Sequence, residues 1–372
     1  PKKEKNNMKG NYIISGIQQM GIGVENFAEA WKYYIDVFNM DIRILEDDKV
    51  AELMLPYTGG KPRKRRACIA LNLQGGGGFE IWQYLERKPK PIDFEIQAGD
   101  LGVFAAKIKS RDVEKTYEHF SKKGNINLLG KPEVGIDGHK TFFMKDPYGN
   151  IFQIVHESEI YRDEGRLTGG IVGAMIGVTD IEKAMPIYRD ILGYDVIVAD
   201  KSGTFDDLNG LPSGNDQYHR RILSHSKPRQ GSFSELFGKS YIELVQALAH
   251  TPRKIYEGRY WGDPGFIQIC FDVRNTDALR KKCEEMGYPF TVDSSRAFKE
   301  GESFDMGEAA GQFAYIEDPD GTLIELVEAH KIPLIKKLNL NLNLRKRDPK
   351  KPLPKWMLGM LRFMKVDPAS LK

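Results

Sequence analysis

The chain alternates short strand-like runs with segments whose apolar residues recur at helical spacing. Apolar and polar positions alternate, as in half-buried strands, over residues 18–24, 103–108, 172–178 and 267–273. Behind each run, apolar residues recur three and four positions apart, over residues 28–38, 113–122, 181–191 and 276–286. Three further strand-like runs follow each predicted helix. The pattern therefore predicts four modules with the element order βαβββ.

Local signals support these helices and mark the end of each half of the chain. Residues suited to N-caps precede the four helices: Asn26, Asp112, Asp180 and Asn275. Glycines suited to helix ends follow three of them: Gly124, Gly193 and Gly287. An Asp-Pro-x-Gly turn begins at Asp146 and again at Asp318, and each is followed by a short apolar strand.

The two halves of the chain repeat one another. Residues 22–34 match residues 176–188 at an offset of 154, with Ile, Gly, Val, Ala and Tyr in the same places, and residues 146–155 match 318–327. The duplication predicts an N-terminal half at 13–158, with modules at 13–85 and 98–158. It predicts a C-terminal half at 167–332, with modules at 167–250 and 264–332. Residues 333–372 form a tail outside the repeat.

Charge and composition narrow the function classes. Lys and Arg number 55 against 52 Asp and Glu, and the tail alone carries eleven basic and two acidic residues. The body is therefore mildly acidic, which argues against nucleic acid as a partner. No run approaches the roughly 18 apolar residues of a transmembrane helix. Three widely spaced cysteines and a start without an apolar run predict no disulfide framework and no signal peptide. We expect a cytoplasmic protein.

Four βαβββ modules, two of which close on Asp-Pro-x-Gly-x-x-x-Glu or Gln, resemble the vicinal oxygen chelate superfamily over residues 13–330. That superfamily contains glyoxalase I, the extradiol ring-cleaving dioxygenases, epimerases and bleomycin-resistance binding proteins. The resemblance implies an α+β fold in which paired modules form two cup-shaped curved sheets, with the basic tail as an extension. Modules could pair sequentially, one with two and three with four. They could also cross, one with four and two with three, as in single-chain glyoxalases. Both pairings remain open.

The resemblance also implies one divalent metal ion in a cup, with ligands from the first and last strands of the modules. Alternation turns Ile17, Gln19 and Gly21 toward the cup in module one and Gln268 in module four, with Ile267 on the opposite face. The matching places in modules two and three hold Val103 and Gly173. The last strands carry Glu80, Gln153, Glu243 and Glu325 in one repeated register. Crossed pairing would assemble Gln19, Glu80, Gln268 and Glu325, and sequential pairing would assemble Glu243, Gln268 and Glu325.

The chain departs from the family because no histidine occupies a ligand position. Extradiol dioxygenases hold iron with two His and one Glu, and glyoxalases use His or Gln together with Glu. Carboxylate and amide oxygens suit hard ions, so magnesium, manganese or calcium are favoured over zinc, nickel or iron. A cup that binds no metal is the remaining alternative.

The candidate chemistry is proton transfer in a small-molecule substrate. The resemblance implies isomerase, epimerase or glyoxalase I-like lyase chemistry through a metal-stabilised enolate or oxyanion, with Glu80 or Glu325 moving the proton. A ring-cleaving dioxygenase and a non-catalytic binding protein are the alternatives. Trp82, on the face of Glu80, and the group His219, Arg221 and His225, on one strand face, are candidate substrate-binding residues. Ordinary packing or a surface position is the alternative for each.

The tail is expected to cover an apolar surface. Leu338, Leu340, Leu342 and Leu344 alternate with asparagines, as in a strand with one apolar face. Beyond three prolines, one face of a short basic helix would carry Trp356, Met357, Met360, Leu361 and Met364. A helix of about ten residues is short for membrane binding on its own, so we favour packing on the body or on a second subunit of a possible homodimer.

Overall fold

The computed structural model describes residues 10–297, 303–305, 310–335 and 340–372. Module one contains β1 (Ile13–Gly23), α1 (Phe27–Phe38), β2 (Ile42–Ala51), β3 (Arg63–Leu71) and β4 (Gly78–Tyr84). Module two contains β5 (Gly102–Ser110), α2 (Val113–Lys123), β6 (Asn127–Val134), β7 (Lys140–Lys145) and β8 (Ile151–His156). Module three contains β9 (Thr168–Gly177), α3 (Ile181–Met185), β10 (Val196–Gly203), β11 (Tyr218–Ser224), α4 (Ser234–Phe237) and β12 (Tyr241–Ala247). Module four contains β13 (Gly265–Arg274), α5 (Thr276–Glu285), β14 (Val292–Asp293), β15 (Phe304–Asp305), β16 (Ala310–Glu317) and β17 (Leu323–Ile335). The tail adds β18 (Leu340–Asn343) and α6 (Lys355–Gly359).

The modules pair in the crossed arrangement. Modules one and four form a ten-stranded sheet in which β1 lies antiparallel to β13, so that the central order is β17-β13-β1-β4. Modules two and three form an eight-stranded sheet with the central order β12-β9-β5-β8, joined by the antiparallel pair β5 and β9. The predicted fold of four βαβββ modules in two sheets is confirmed. The boundaries of the two sequence halves remain a prediction from the repeat.

The predicted caps form, and one helix is interrupted. The side chains of Asn26, Asp112, Asp180 and Asn275 each accept a hydrogen bond from the backbone N–H three residues further on. The third helix, predicted as continuous, changes after Met185 into a π-helical turn that begins at Pro186. Proline has no backbone N–H to continue the α-helical ladder, which explains the change.

One apolar core joins the helices to the helix-facing sides of both sheets. It contains Trp31 and Phe38 of α1, Leu279 of α5, Phe152 of β8 and Phe271 of β13. The opposite face of each sheet is concave and is called here the first cup for the ten-stranded sheet and the second cup for the eight-stranded sheet.

Irregularities in β1 and β13 change two of the predicted side-chain directions. The register between these strands shifts at Ile17/Gln19 and again at Gly21/Ile22. Such bulges reverse the alternation locally. Ile17, predicted to face the cup, therefore lies in the main core, whereas Ile267, predicted to face the helices, packs on the cup side beside Trp82.

Two buried tyrosine–aspartate pairs tie the helices of modules one and three to the turns of modules two and four, respectively. Tyr34 on α1 donates a 2.7 Å hydrogen bond to Asp146, and Tyr188 donates a 2.9 Å bond to Asp318. Both aspartates begin an Asp-Pro-x-Gly turn and also accept two backbone N–H groups of that turn. Burial raises the pKa of each carboxyl to about 6, although these hydrogen bonds oppose the shift. The turns therefore hold a tertiary contact as well as reversing the chain.

The tail packs on the body, as predicted. The strand β18 pairs antiparallel with β17, which confirms the strand over Leu340–Asn343, while Leu338 lies outside the described residues. Arg274 donates hydrogen bonds of 2.7 Å to the carbonyls of Ala329 and Leu344, which fixes the tail to the sheet. Leucines of the tail are buried against β2, β3 and α4 in a second apolar cluster: Leu344, Leu353, Leu358 and Leu361.

Most of the predicted face of the tail helix packs on the body, because Leu361 lies in the second apolar cluster and Met357 and Met364 contact it, but Trp356 does not. Trp356 is 66% exposed, and Leu358 is 2% exposed. The α-helix stops at Gly359, and a tighter 3₁₀ turn (Met360–Met364) follows, which shifts the side chains around the axis. No helix in the described part of the chain is long and apolar enough to cross a membrane.

We expect Tyr34→Phe to lower the free energy of unfolding by about 1–3 kcal/mol, because a buried carboxylate loses a donor. The loss should be larger at pH 8 than at pH 5. With a folded pKa near 6 and an unfolded value near 3.8, the Asp146 carboxyl favours the folded state at low pH and loses that contribution as the pH rises through 6. The phenol stabilises only the ionised form that is present above pH 6.

Tyr33→Phe is the matched control, because the Tyr33 hydroxyl is buried without a hydrogen-bond partner among the described residues. Removing it should be neutral or stabilising. Urea unfolding midpoints at the two pH values test both variants. Equal losses for Tyr33→Phe and Tyr34→Phe would contradict the role given to the tyrosine–aspartate pair.

For the tail, Leu358→Ala should lower the free energy of unfolding by about 2–5 kcal/mol. Trp356→Ala, which removes an exposed side chain, should change the free energy of unfolding by less than about 0.5 kcal/mol.

Truncation after Lys331 should lower the melting temperature or change the oligomer measured by light scattering. A truncated protein that keeps its melting temperature and size, but no longer pellets with anionic vesicles, would show that the tail serves a membrane instead.

Candidate functional site

Four polar side chains from four strands meet in the first cup. Gln19 comes from β1, Glu80 from β4, Gln268 from β13 and Glu325 from β17. The crossed pairing brings these strands side by side, since β1 and β13 lie between β4 and β17. Gly21 makes room for Gln268, because a Cβ at Gly21 would lie 2.5 Å from the Gln268 amide carbon. This group is called the amide–carboxylate cluster below.

The two amides bridge the two carboxylates. Gln268 Nε2 donates to Oε2 of Glu80 at 2.7 Å and to Oε2 of Glu325 at 3.3 Å. Gln19 Nε2 donates to the same two oxygens at 3.3 and 3.4 Å. Both carboxylates therefore converge on one small volume, and only neutral amide groups lie between them.

The cluster holds two carboxyl groups in a buried place, where it is costly for both to be ionised. Burial, followed by repulsion from Glu325, raises the pKa of Glu80 to about 8, and burial also raises the pKa of Glu325. Hydrogen bonds from Tyr315, Cys270 and the two glutamines oppose the shift at Glu325. Arg65, on the wall of the cavity, is bound to Asp47. Neither glutamate forms an ion pair with any residue that the structure describes.

The cluster fits a divalent cation. Gln19 Oε1 is buried and has no hydrogen-bond partner among the described residues, although a buried amide oxygen normally accepts at least one bond. An ion between the carboxylates would supply that partner once the Gln19 amide turned, since its Nε2 now faces them, and it would balance the charge of both carboxylates when they are ionised. No group of three or more His, Cys, Asp and Glu side chains suited to a metal occurs in the described ranges, so any ion here needs the amide oxygens. The oxygen-only donor set suits a hard ion.

A cavity of about 110 Å³ opens onto the cluster. Its walls are mostly apolar and aromatic, and they include Leu53, Phe304, Phe313 and Tyr315. Trp261 separates it from a larger groove of about 380 Å³, which is lined by Tyr57, Tyr256, Tyr260, Arg259 and Lys254. The inner cavity accommodates a small polar group against the carboxylates.

Trp82 lies near the cluster but behind its wall. Its ring is fully buried and makes edge contacts with Tyr84 at 4.5 Å and with Trp261 at 4.7 Å between centroids. Trp261 lines both cavities, whereas Trp82 lines neither. The aromatic wall predicted at Trp82 is therefore provided by Trp261, which the sequence analysis missed because it lies in the loop before β13.

Glu243 lies in the second cup, so the alternative set Glu243, Gln268 and Glu325 is not brought together. Glu243 occupies on β12 the register position of Glu80 on β4, and Gln153 on β8 occupies that of Glu325 on β17. The second cup is thus the counterpart of the first. Val103, proposed as its first-strand residue, lies in the main core.

A buried ion-pair network fills the second cup. Lys107 Nζ, from β5, donates to Glu243 at 2.6 Å and to Gln153 at 2.5 Å. Arg220 binds Glu243 at 2.7 Å and Asp207 at 2.6 and 2.8 Å. Burial alone would raise the pKa of Glu243, but Arg220 and Lys107 outweigh it and lower the pKa. Two cations balance two carboxylates, and the Lys107 ammonium stands between the two acceptors that match Glu80 and Glu325.

The other three predicted substrate-binding residues lie outside both cups. His219 and Arg221 share Asp200 as a partner, at 2.6 and 2.7 Å, and Arg221 also pairs with Glu182 on α3 at 2.8 Å. They therefore occupy the helix-facing side of β11, whereas Arg220 faces the cup. His225 contacts the Lys227 carbonyl at 2.8 Å and the Ser240 backbone N–H. Adjacent residues of a strand point to opposite faces, so Arg220 enters the cup and Arg221 does not.

Comparison with known proteins gives the family and the fold. The family model of the Glyoxalase/Bleomycin resistance protein/Dioxygenase superfamily matches residues 16–154 and 170–326. Glyoxalase I from Zea mays is similar at a TM-score of 0.51 and 15% identity, over 86% of this chain and 92% of that chain. A provisionally named dioxygenase from Bacillus subtilis subsp. subtilis str. 168 is similar at a TM-score of 0.53 and 12% identity, over 95% and 97% of the two chains. No curated protein matches the chain.

The structural similarities at these identities concern the fold, whereas the family model covers both repeats of the sequence. The two repeats, the four βαβββ modules and the crossed sheets agree with that match. The chain belongs to the Glyoxalase/Bleomycin resistance protein/Dioxygenase superfamily.

Proposed function

We propose that the chain is a metal-dependent enzyme that acts on a small molecule, with one divalent cation held in the first cup. The observation that carries the proposal is the amide–carboxylate cluster. Two buried carboxylates, Glu80 and Glu325, converge beside the Oε1 of Gln19, and within the described ranges neither carboxylate has an ion-pair partner and that oxygen has no hydrogen-bond donor. The second cup supports the same conclusion, because its matching acceptors are neutralised by Lys107 and Arg220.

Glu80, Glu325 and Gln19 Oε1 would hold the cation. A bound divalent ion supplies Lewis-acid stabilisation of an enolate or another oxyanion. Within the chain, a carboxylate of the pair would accept a proton from a substrate carbon and return it to the same or a neighbouring carbon. The aromatic side chains of Phe313 and Tyr315 would exclude water around the reacting group. This assigns isomerase, epimerase or lyase chemistry.

Glu80→Gln and Glu325→Gln should each lower turnover by about 10²–10⁴-fold, the usual contribution of a general base. Enolate chemistry exchanges a carbon-bound proton with solvent, so deuterium incorporation into a panel of α-hydroxycarbonyl compounds in D₂O is the measurement. Glu25→Gln, which alters an exposed loop carboxylate, is the matched control and should behave as the unchanged protein. Glutamine variants that keep full metal content and full exchange would sink the proposed role.

The chain should bind one Mn²⁺ rather than two, because among the described residues the glutamates of the first cup form no ion pair, whereas Glu243 of the second cup pairs with Lys107 and Arg220. Equilibrium dialysis measures the stoichiometry. Glu80→Gln should weaken binding by about tenfold or more, since it removes a charged ligand. Two equivalent ions per chain would contradict the reading of the second cup, and no bound ion at all would contradict the proposed function.

A further inference from the structure

The two glutamines of the cluster are held in different ways. Gln268 Oε1 accepts a 2.9 Å hydrogen bond from the indole Nε1–H of Trp261. Gln19 Oε1 has no partner among the described residues. An indole N–H can only donate, so it fixes which end of the Gln268 amide is oxygen. The oxygen of Gln268 points at Trp261, and its NH₂ group points at the carboxylates.

We propose that Gln268 is a hydrogen-bond donor to the carboxylates rather than a metal ligand, and that Trp261 is the positioning residue that keeps it so. The inference rests on the proposed function, because it concerns the ion held in the first cup. It assigns the ion three protein ligands: the oxygens of Glu80 and Glu325, and Oε1 of Gln19. The remaining coordination positions are left to water or substrate.

Reversing the Gln268 amide would be costly. Its NH₂ group would then face the indole N–H, donor against donor, and the 2.7 Å bond to Glu80 would be lost. The side chain is also confined laterally, since it lies over the bare Cα of Gly21 at a distance that leaves no space for a Cβ. Gln19 has no such restraint on its oxygen, so rotation of its amide toward an ion would break only its two longer Nε2 bonds, at 3.3 and 3.4 Å, to carboxylates that the ion would then bind.

Trp261 is itself held from several sides. The backbone N–H of Trp261 donates to the Tyr57 carbonyl at 2.9 Å, and the backbone carbonyl of Trp261 accepts a hydrogen bond from the Tyr84 hydroxyl. Two residues on, the buried carboxylate of Asp263 accepts bonds from Arg87 at 2.5 Å and from the backbone N–H groups of Lys90 and Tyr260. The indole is therefore part of a rigid loop rather than a side chain free to follow Gln268.

Counting the water molecules bound to Mn²⁺ distinguishes a ligand from a donor. Deuterium electron spin echo modulation in D₂O provides the count for the full chain loaded with Mn²⁺. Gln19→Ala should add one bound water, because a ligand is lost. Gln268→Ala should leave the count unchanged, although Mn²⁺ binds more weakly. A count that rises by one in Gln268→Ala would overturn the inference.

Trp261→Phe tests the positioning role. Without the indole N–H, the Gln268 amide is free to turn its oxygen to the ion, so the variant should bind Mn²⁺ several-fold more tightly and lose one bound water. Trp82→Phe is the matched control, since the Trp82 indole N–H is buried without a described partner. It should change neither quantity. An unchanged water count in Trp261→Phe would also overturn the inference.

Binding of Mn²⁺ to the unchanged protein tests the proposed function, and the water counts of the variants test the role of Gln268. If the unchanged protein binds no Mn²⁺, the metal-dependent function fails and the ligand question does not arise. If Mn²⁺ binds and Gln268→Ala and Gln19→Ala both gain a water, the function stands and the donor role of Gln268 fails. Circular dichroism spectra of all four variants establish that the comparison is made between folded proteins.

Discussion

The antiparallel pairing of β1 with β13 is the contact on which the architecture of the first cup depends. It joins strands from the first and the last module, and it places their last strands, β4 and β17, on either side of the central pair. Without it, Glu80 and Glu325 would belong to different sheets. The bulges in this pair matter as much as the pairing, because they turn Gln19 into the cup while Ile17 stays in the core.

The two cups show how one scaffold handles the same buried acceptors in two ways. In the second cup, the cationic side chains of Lys107 and Arg220 neutralise Glu243, so the ion-pair network is complete within the chain. In the first cup the corresponding place on β13 is taken by Cys270, which brings no positive charge. Buried carboxylates without an ion-pair partner are costly to keep ionised. A protein that keeps two of them together, next to a cavity, retains a site that an external cation can complete.

The fold was largely predictable because it rests on local and repeated signals. The four caps, the helical spacing and the Asp-Pro-x-Gly turns are each readable within a few residues, and their recurrence marks the modules. The pairing of the modules could not be predicted, because the sequential and the crossed arrangement fit the same alternation of apolar and polar residues. The residues of the cups also differed in how predictable they were. Glu80 and Glu325 were predicted from the repeated register of the last strands, whereas Lys107 and Arg220 were not predicted. Arg220 is distinguished from its neighbour Arg221 only by the strand face that it occupies, and the register of β5 shifts directly after Lys107. Trp261 escaped because it lies in a loop, where no periodicity indicates direction.

The crossed pairing also has a consequence for the order in which the sheets can form. Modules two and three are adjacent in the chain, so the eight-stranded sheet and its ion-pair network can assemble as soon as those residues have left the ribosome. The strand β1 pairs with β4 of its own module on one side only. The edge of β1 that pairs with β13 faces solvent until β13, some 250 residues later, has been synthesised. Loop closure over such a distance is slow. The inner pair of modules thus provides the surface on which the outer pair closes, and the tail, which follows the four modules in the sequence, covers the remaining apolar cluster. Until β13 has been made, β1 presents an unpaired strand edge, which makes the first module especially dependent on protection from aggregation.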